Sequence, residues 1–339
     1  MEKIVLSRSE TRSIRSVLRR VATQYASPED PAFLKDATLH AHDLPKRVRA
    51  FLNRFRLEEP DAAVCMISGY EIDQAKIGET PSHWRFQGDG LRTLEEEILL
   101  VLFSSLLGDV FGWATQQEGR VIHDVLPIRG HQNAQIGTGS EQEITWHNED
   151  AFHPCRGDYV ALMCLRNPDR VPTTVAPVDL LELGDEIKDA LFEPQFIFRP
   201  DYSHSKEFAM EGHEDGVNGH PSFERRDEVS KKSEKRAVLF GDRNSAYIQV
   251  DPYFMETPDD PEAQIALNIL VAMIDRLLYE IILEPGDFCF IDNYKAVHGR
   301  RPFVARFDGT DRWLKRLNIT RDLRKSRALR GVGLSRIIG

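Results

Sequence analysis

From about Arg120 onward the chain loses helical spacing and breaks into short runs of β-branched and aromatic residues. RVIHDVLPI, EITWH, DYVALMCLR, QFIFRP, AYIQVD, FCFID and LKRLNIT are each closed off by Gly, Pro, Asn or Asp. Such side chains fit a pleated, half-buried surface, and the punctuating residues supply turns. Runs of this kind without alternating helices predict antiparallel sheets packed as a sandwich or jelly roll. One helix interrupts them, with Asp260 as its N-cap and Pro261 at its first position, over about 261–282.

The first hundred residues read differently. Ser7 and Glu10 have capping-box spacing, and Ile14, Val17, Leu18 and Val21 follow at helical intervals. Leu44–Leu57 is a basic amphipathic helix, AAVCMISGY at Ala62–Tyr70 a buried strand, and Leu91–Leu107 a long buried helix. We therefore read one domain over 1–339, mostly β with flanking helices. A mainly helical part, 1–110, packs on a jelly-roll core, 111–325. Ser203–Lys235, with three glycines, His204, His213, His220 and a charge run, reads as a lid at about 203–235 whose histidines are solvated.

Composition excludes several partners. A net charge of −10 repels phosphate backbones and argues against nucleic acid. The apolar run Ile265–Leu283 is broken by Asn268, Asp275, Arg276 and Glu280, which argues against a membrane span. The N-terminus lacks the apolar stretch of a signal peptide, and none of the four cysteines forms a Cys-x-x-Cys pair. The expectation is a cytoplasmic protein with reduced thiols, acting on a small molecule; a homo-oligomer is left open.

WHNED places His147 and Glu149 at i and i+2 beyond an apolar run, where both side chains point the same way. Two imidazoles and one carboxylate on one face of iron(II) leave three positions for substrates and oxygen. His298, in NYKAVHGR, is the candidate third ligand, carried back to the sheet by a short loop after FCFID. In DRWLKRLNIT, Arg312, Leu314 and Arg316 share one strand face. Two inward arginines beside a metal are costly unless anions pair with them, and two carboxylates, on a keto acid and an amino acid, answer that need.

GDVFGWATQQEGRVIHDVLPI, WHNEDAFHPCRGDYVALMCLRNPD, FIDNYKAVHGRRPF and DGTDRWLKRLNITRDLRKSR resemble the clavaminate-synthase-like iron(II)/2-oxoglutarate oxygenases, and the subgroup that hydroxylates free basic amino acids. The resemblance covers nearly the whole chain. It implies a distorted jelly roll, a double-stranded β-helix of cupin type, with iron held by His147, Glu149 and His298. It implies that Arg312, with Thr173 nearby, takes the distal carboxylate of 2-oxoglutarate, that Arg316 takes the substrate α-carboxylate, and that Gln116 and Glu149 flank the α-amine. Related halogenases replace the metal carboxylate by a small residue; Glu149 is present, which favours hydroxylation.

The resemblance brings Asp201, Ser203 and Asp251 to the far end of the substrate pocket. An arginine hydroxylase of the subgroup has two aspartates spaced i, i+2 where this chain has Asp251 and Tyr253. A compact ammonium suits one carboxylate and an aromatic face, so L-lysine is preferred, with L-arginine 3-hydroxylation as the alternative and ornithine behind both. The expected reaction consumes O2 and 2-oxoglutarate, hydroxylates C3 or C4, and releases succinate and CO2. A non-catalytic cupin-like binding protein and a zinc hydrolase are the readings from other classes.

Overall fold

DYVALMCLR forms a strand buried on both faces, and that is why it reads as a continuous apolar run rather than an alternating one. The computed structural model describes residues 1–86, 92–205 and 234–339. Its strands are β1 (Glu2–Val5), β2 (Val64–Ser68), β3 (Asp109–Trp113), β4 (His123–Val125), β5 (Ile144–His147), β6 (Tyr159–Arg166), β7 (Thr173–Pro177), β8 (Leu239–Asp242), β9 (Ser245–Ile248), β10 (Tyr279–Ile281), β11 (Phe288–Asp292), β12 (Ala296–Arg300), β13 (Trp313–Thr320) and β14 (Ile337–Ile338). The helices are α1 (Arg8–Ala22), α2 (Pro31–Ala41), α3 (Lys46–Glu58), α4 (Gln74–Ile77), α5 (Leu94–Ser104), α6 (Asp185–Phe192) and α7 (Pro261–Leu277).

The larger sheet runs β1-β2-β11-β6-β13-β3-β14, with β4 also on β13; the smaller runs β10-β7-β12-β5. Alternation along the strands separates two cores. Val160, Leu162 and Cys164 of β6, Cys289 and Ile291 of β11, and Leu314 of β13 meet Val175 and Ala296 of the smaller sheet. The intervening residues Ala161, Met163, Phe288, Phe290 and Leu317 face the other way and meet α1, α2, α3 and α5. Outside the smaller sheet, Trp146, Ala176 and Val297 pack on α6 and α7. This is a jelly roll of two sheets with a helical layer on each outer face, as the strand-rich sequence predicts.

Several boundaries differ from the sequence reading. The fold is not purely antiparallel: β1 runs parallel to β2, and β14 parallel to β3. These edges draw part of 1–110 into the larger sheet and extend the core past 325. The helix at Pro261 is capped by Asp260 but stops at Leu277, because Leu278 turns extended and Tyr279–Ile281 pairs with β7. QFIFRP makes only isolated bridges, Phe196 to Arg236 and Phe198 to Met255. Leu91 lies outside the described residues and the buried helix begins at Leu94. Most of the expected lid, 206–233, with His213 and His220, also lies outside them. No helix among the described residues is long and apolar enough to cross a membrane, and all four cysteines are unpaired.

Strand β13 serves both cores. Arg312, Leu314 and Arg316 line the cavity between the sheets, whereas Lys315 points into the helical layer. There its Nζ lies 2.7 Å from Glu97 of α5 and 2.6 Å from Asp124, with no solvent exposure. Lys315→Ala removes the cation held between two interior carboxylates and should cost about 3–5 kcal/mol. A urea unfolding curve measures this; a loss under about 1 kcal/mol would show that the ion triad is not needed to join helix and strand.

Candidate metal centre and adjoining pocket

The turn after β5 is built around two asparagines with no solvent exposure, Asn148 and Asn293. Asn293 Oδ1 accepts from the Glu149 backbone N–H at 2.8 Å, and its Nδ2 donates to the carbonyls of Glu149 and Gly157. Asn148 Nδ2 donates to the carbonyls of Asn293 and Ala296, while its Oδ1 accepts from Val250 N–H. Arg156 Nη1 donates to the same Asn293 carbonyl at 2.6 Å. These bonds fix where Glu149 leaves the strand.

The histidines are cross-strand partners. His298 of β12 pairs in register with His147 of β5, with ring centroids 4.7 Å apart. An irregularity in that pairing between His298 and Arg300 marks a bulge beside the site. Gly299 permits it: a Cβ there would lie 2.5 Å from the Ile144 carbonyl oxygen. The short loop after β11 thus carries His298 back to a sheet as expected, and His298 lies within the strand that follows, β12. His147 Nδ1 donates to the Thr145 carbonyl at 2.9 Å, which turns its Nε2 to within 3.9 Å of Glu149 Oε2; His298 Nε2 is 3.4 Å from that oxygen. The three ligand atoms lie within 4.8 Å of one another, a spacing one ion can bridge.

Burial penalises charge on Glu149, but Arg316 and hydrogen bonds from His147 and His298 hold its carboxyl well below the usual range. Burial also opposes charge on His147, yet Glu149 and Asp251 outweigh it and raise the imidazole to about 9. Burial lowers His298, and the charge on His147 adds to this. The ligand set thus presents one firm anion, and metal binding must displace the His147 proton.

Arg316 Nη1 donates to Glu149 Oε1, and its Nη2 donates to Gln116 Oε1 at 3.2 Å and His123 Nδ1 at 2.9 Å. His123 must accept there, so its Nε2 carries the proton donated to the Arg120 carbonyl. Arg312 differs. It is 5% exposed, its Nε has no partner, and no carboxylate forms an ion pair with it among the described residues. Burial alone pushes it down to about 10. Thr173 of β7 lines the same cavity and pairs in register with Arg300 of β12.

Asp201 and Ser203 also line the cavity, and Gln116 Nε2 donates to Ser203 Oγ at 2.6 Å. Asp251 and Tyr253 do not line it. Asp251 closes an Asp-Pro turn by accepting from Phe254 N–H, and Tyr253 is 54% exposed. Burial, with the charge of Asp201 adding to it and that of His147 opposing it, still raises Asp251 to about 6. Neither forms an ion pair with a basic residue among those described. His204 is not solvated as its loop composition suggests; it is 1% exposed and bonded to Asp150 at 2.9 Å. Its partners lie far off in sequence, so composition gave no sign of it. Sequence reasoning also missed Asn148, Asn293, His123 and Arg300. Asn293 and Arg300 stood in the FIDNYKAVHGRRPF stretch, where Asn293 looks like an ordinary turn residue.

Residues 99–318 match the family described as taurine catabolism dioxygenase TauD, TfdA family. The chain belongs to this family. It is 46% identical to an L-ornithine/L-arginine 3-hydroxylase of Catenulispora acidiphila over 100% of both chains, and 42% identical to an enduracididine beta-hydroxylase of Streptomyces hygroscopicus over 98% of both. A crystal structure of the non-heme iron oxygenase OrfP, in complex with Fe, succinate and (3S)-hydroxy-L-Arg, superposes with a TM-score of 0.93 at 42% identity over 100% of both chains. An L-lysine 4-hydroxylase of Chitinophaga pinensis is 26% identical over 90% of this chain and 77% of its own. The fold and the resemblance to oxygenases of basic amino acids are borne out; the preference for lysine is not supported.

Asn293→Ala deprives the Glu149 N–H of its acceptor inside the core. It should weaken iron(II) binding about 10–100-fold, as loss of partners behind a ligand does elsewhere. Anaerobic calorimetric titration with iron(II) checks this, and an unchanged affinity would separate the asparagine clasp from metal binding.

Proposed function

We propose that this chain is an iron(II)- and 2-oxoglutarate-dependent hydroxylase of a free basic amino acid, with L-arginine as substrate and C3 as the carbon oxidised. The observation that carries the reading is a buried guanidinium without a carboxylate partner among the described residues, Arg312, lining the same cavity as Arg316 and a His-Glu-His ligand set. A buried cation of this kind is stable in service only with an anion. The distal carboxylate of 2-oxoglutarate is that anion, with Thr173 beside it.

The residues present suit both groups. His147, Glu149 and His298 would hold the metal. When bound, iron, 2-oxoglutarate and O2 supply the oxidising power for C–H hydroxylation, with succinate and CO2 as co-products. The remaining work is positional. Arg316 offers its guanidinium to the substrate α-carboxylate while it also engages Glu149, and Gln116 and Glu149 flank the α-amine. Asp201 and Ser203 receive the cationic end of the side chain, with Asp251 adding charge from the rim. The charge of Asp201 raises Asp251, and a cation near both carboxylates would relieve that repulsion.

The substrate choice reverses the reading from Tyr253. That side chain stands mostly in solvent and outside the cavity, so replacing the second aspartate there says little about which cation binds. Guanidinium recognition is supported by a relative named for arginine at 46% identity and by OrfP, solved with (3S)-hydroxy-L-Arg, at 42%, against 26% and 28% for two lysine hydroxylases. L-Ornithine stays in the test because the first of these is named for both amino acids. Four unpaired thiols suit a cytoplasmic location.

Incubation with iron(II), 2-oxoglutarate, ascorbate and L-arginine, L-ornithine or L-lysine should give succinate and one added oxygen on arginine. Faster turnover of lysine would overturn the substrate, and no succinate with any basic amino acid would overturn the function. Arg312→Ala should weaken 2-oxoglutarate by on the order of 2 kcal/mol or more, about 30-fold, with little change in the KM for arginine. A shift in the amino-acid KM instead would mean that the two arginines exchange roles.

A further inference from the structure

The scheme above makes no use of His204, although it is as buried as the metal ligands. Its Nε2 meets Asp150 Oδ1 at 2.9 Å and its Nδ1 meets Thr115 Oγ1 at 2.7 Å. Phe152 and Trp113 enclose the ring edge-on at 4.9 and 5.7 Å. Asp150 follows Glu149 directly and holds a left-handed backbone, φ 53°, without being glycine. Its Oδ2 accepts from Trp113 Nε1 at 2.6 Å and from Asn318 Nδ2 at 3.3 Å.

On its other side, His204 ends a single 3-10 turn, Tyr202–His204. Asp201 caps that turn by accepting from Ser203 N–H at 2.7 Å, and Ser203 is bonded to Gln116. The His204–Asp150 bond therefore joins two short segments, the one carrying Glu149 and the one carrying Asp201 and Ser203. Ligand atoms of Asp150, Asp201 and His204 lie within 4.8 Å of one another. A second cation site is nonetheless disfavoured, because both oxygens of Asp150 and both nitrogens of His204 are already engaged in hydrogen bonds.

We propose that His204 is a positioning residue: through Asp150 it fixes the acidic wall of the substrate pocket relative to the metal turn, and so determines which carbon of the amino acid is presented for oxidation. The proposal rests on the functional reading above. It predicts a selective defect. If the wall drifts, the amino acid loses affinity and alignment, while 2-oxoglutarate, held from β13 and β7, does not.

Hydroxylation of L-arginine by the unaltered chain is measured first, so that silence there counts against the functional reading. The proposal is decided by anaerobic calorimetric binding to the iron-loaded protein. His204→Ala should weaken L-arginine about tenfold, the loss expected for one buried charge-assisted bond, and leave 2-oxoglutarate within about twofold. In turnover the same variant should form more succinate than hydroxyarginine and spread oxidation over neighbouring carbons, and His204→Gln should recover part of the loss. Should His204→Ala not fold, Thr115→Val, which keeps the Asp150 bond, should show the same split more weakly. Unchanged arginine binding, or equal weakening of both ligands, would overturn the proposal.

Discussion

The position of Glu149 depends on Asn293. That side chain is wholly buried, and its amide and backbone groups are all in use: N–H to Asp158, carbonyl from Asn148 and Arg156, Oδ1 from Glu149, Nδ2 to Glu149 and Gly157. A fully satisfied polar cluster in a low-dielectric interior is rigid, because displacing any member leaves another unpaired. It ties the turn between β11 and β12 to the turn after β5. The metal carboxylate is thus held by the larger sheet's connection, while both histidines come from the smaller sheet.

Strand β13 imposes the second constraint. Its period of two sends Leu314 and Arg316 into the cavity and Lys315 into the helical layer, while Arg312, just before the strand and ahead of an irregularity at Trp313/Leu314, lines the same cavity. Lys315 is matched by two carboxylates in the fold itself. Arg316 has one, Glu149, and Arg312 has none among the described residues. Arg300 lies close by, its guanidinium occupied by the carbonyls of Gly139, Ser140 and Gln142, and burial together with Arg312 lowers it to about 9. Arg312 and Arg300 thus bring more positive charge to their part of the protein than the described carboxylates balance there.

The jelly roll was legible because strands buried on one or both faces leave a plain pattern of β-branched residues, and the closeness of the His147 and Glu149 side chains was legible because i and i+2 share a face. Strand β12 was not. Its residues Ala296–Arg300 include His, Gly and Arg, and their burial follows from neighbours on both sides, β7 and β5, that no local window contains. His204 was hidden for a similar reason, since Asp150 and Thr115 lie 54 and 89 residues away. Lys315 looks like a solvated lysine until α5 brings Glu97 against it. Tyr253 misled in the opposite sense: its place in the chain suggested a wall residue, but the turn closed by Asp251 swings it outward.

The cross-strand pairing of His147 with His298 has a consequence for assembly. A slip of one position between β5 and β12 would send one imidazole to the opposite surface of the sheet, since neighbouring side chains alternate. A chain zipped one step out of alignment could not chelate iron at all. An ion that needs both imidazoles would therefore bind only molecules whose smaller sheet has closed in this alignment.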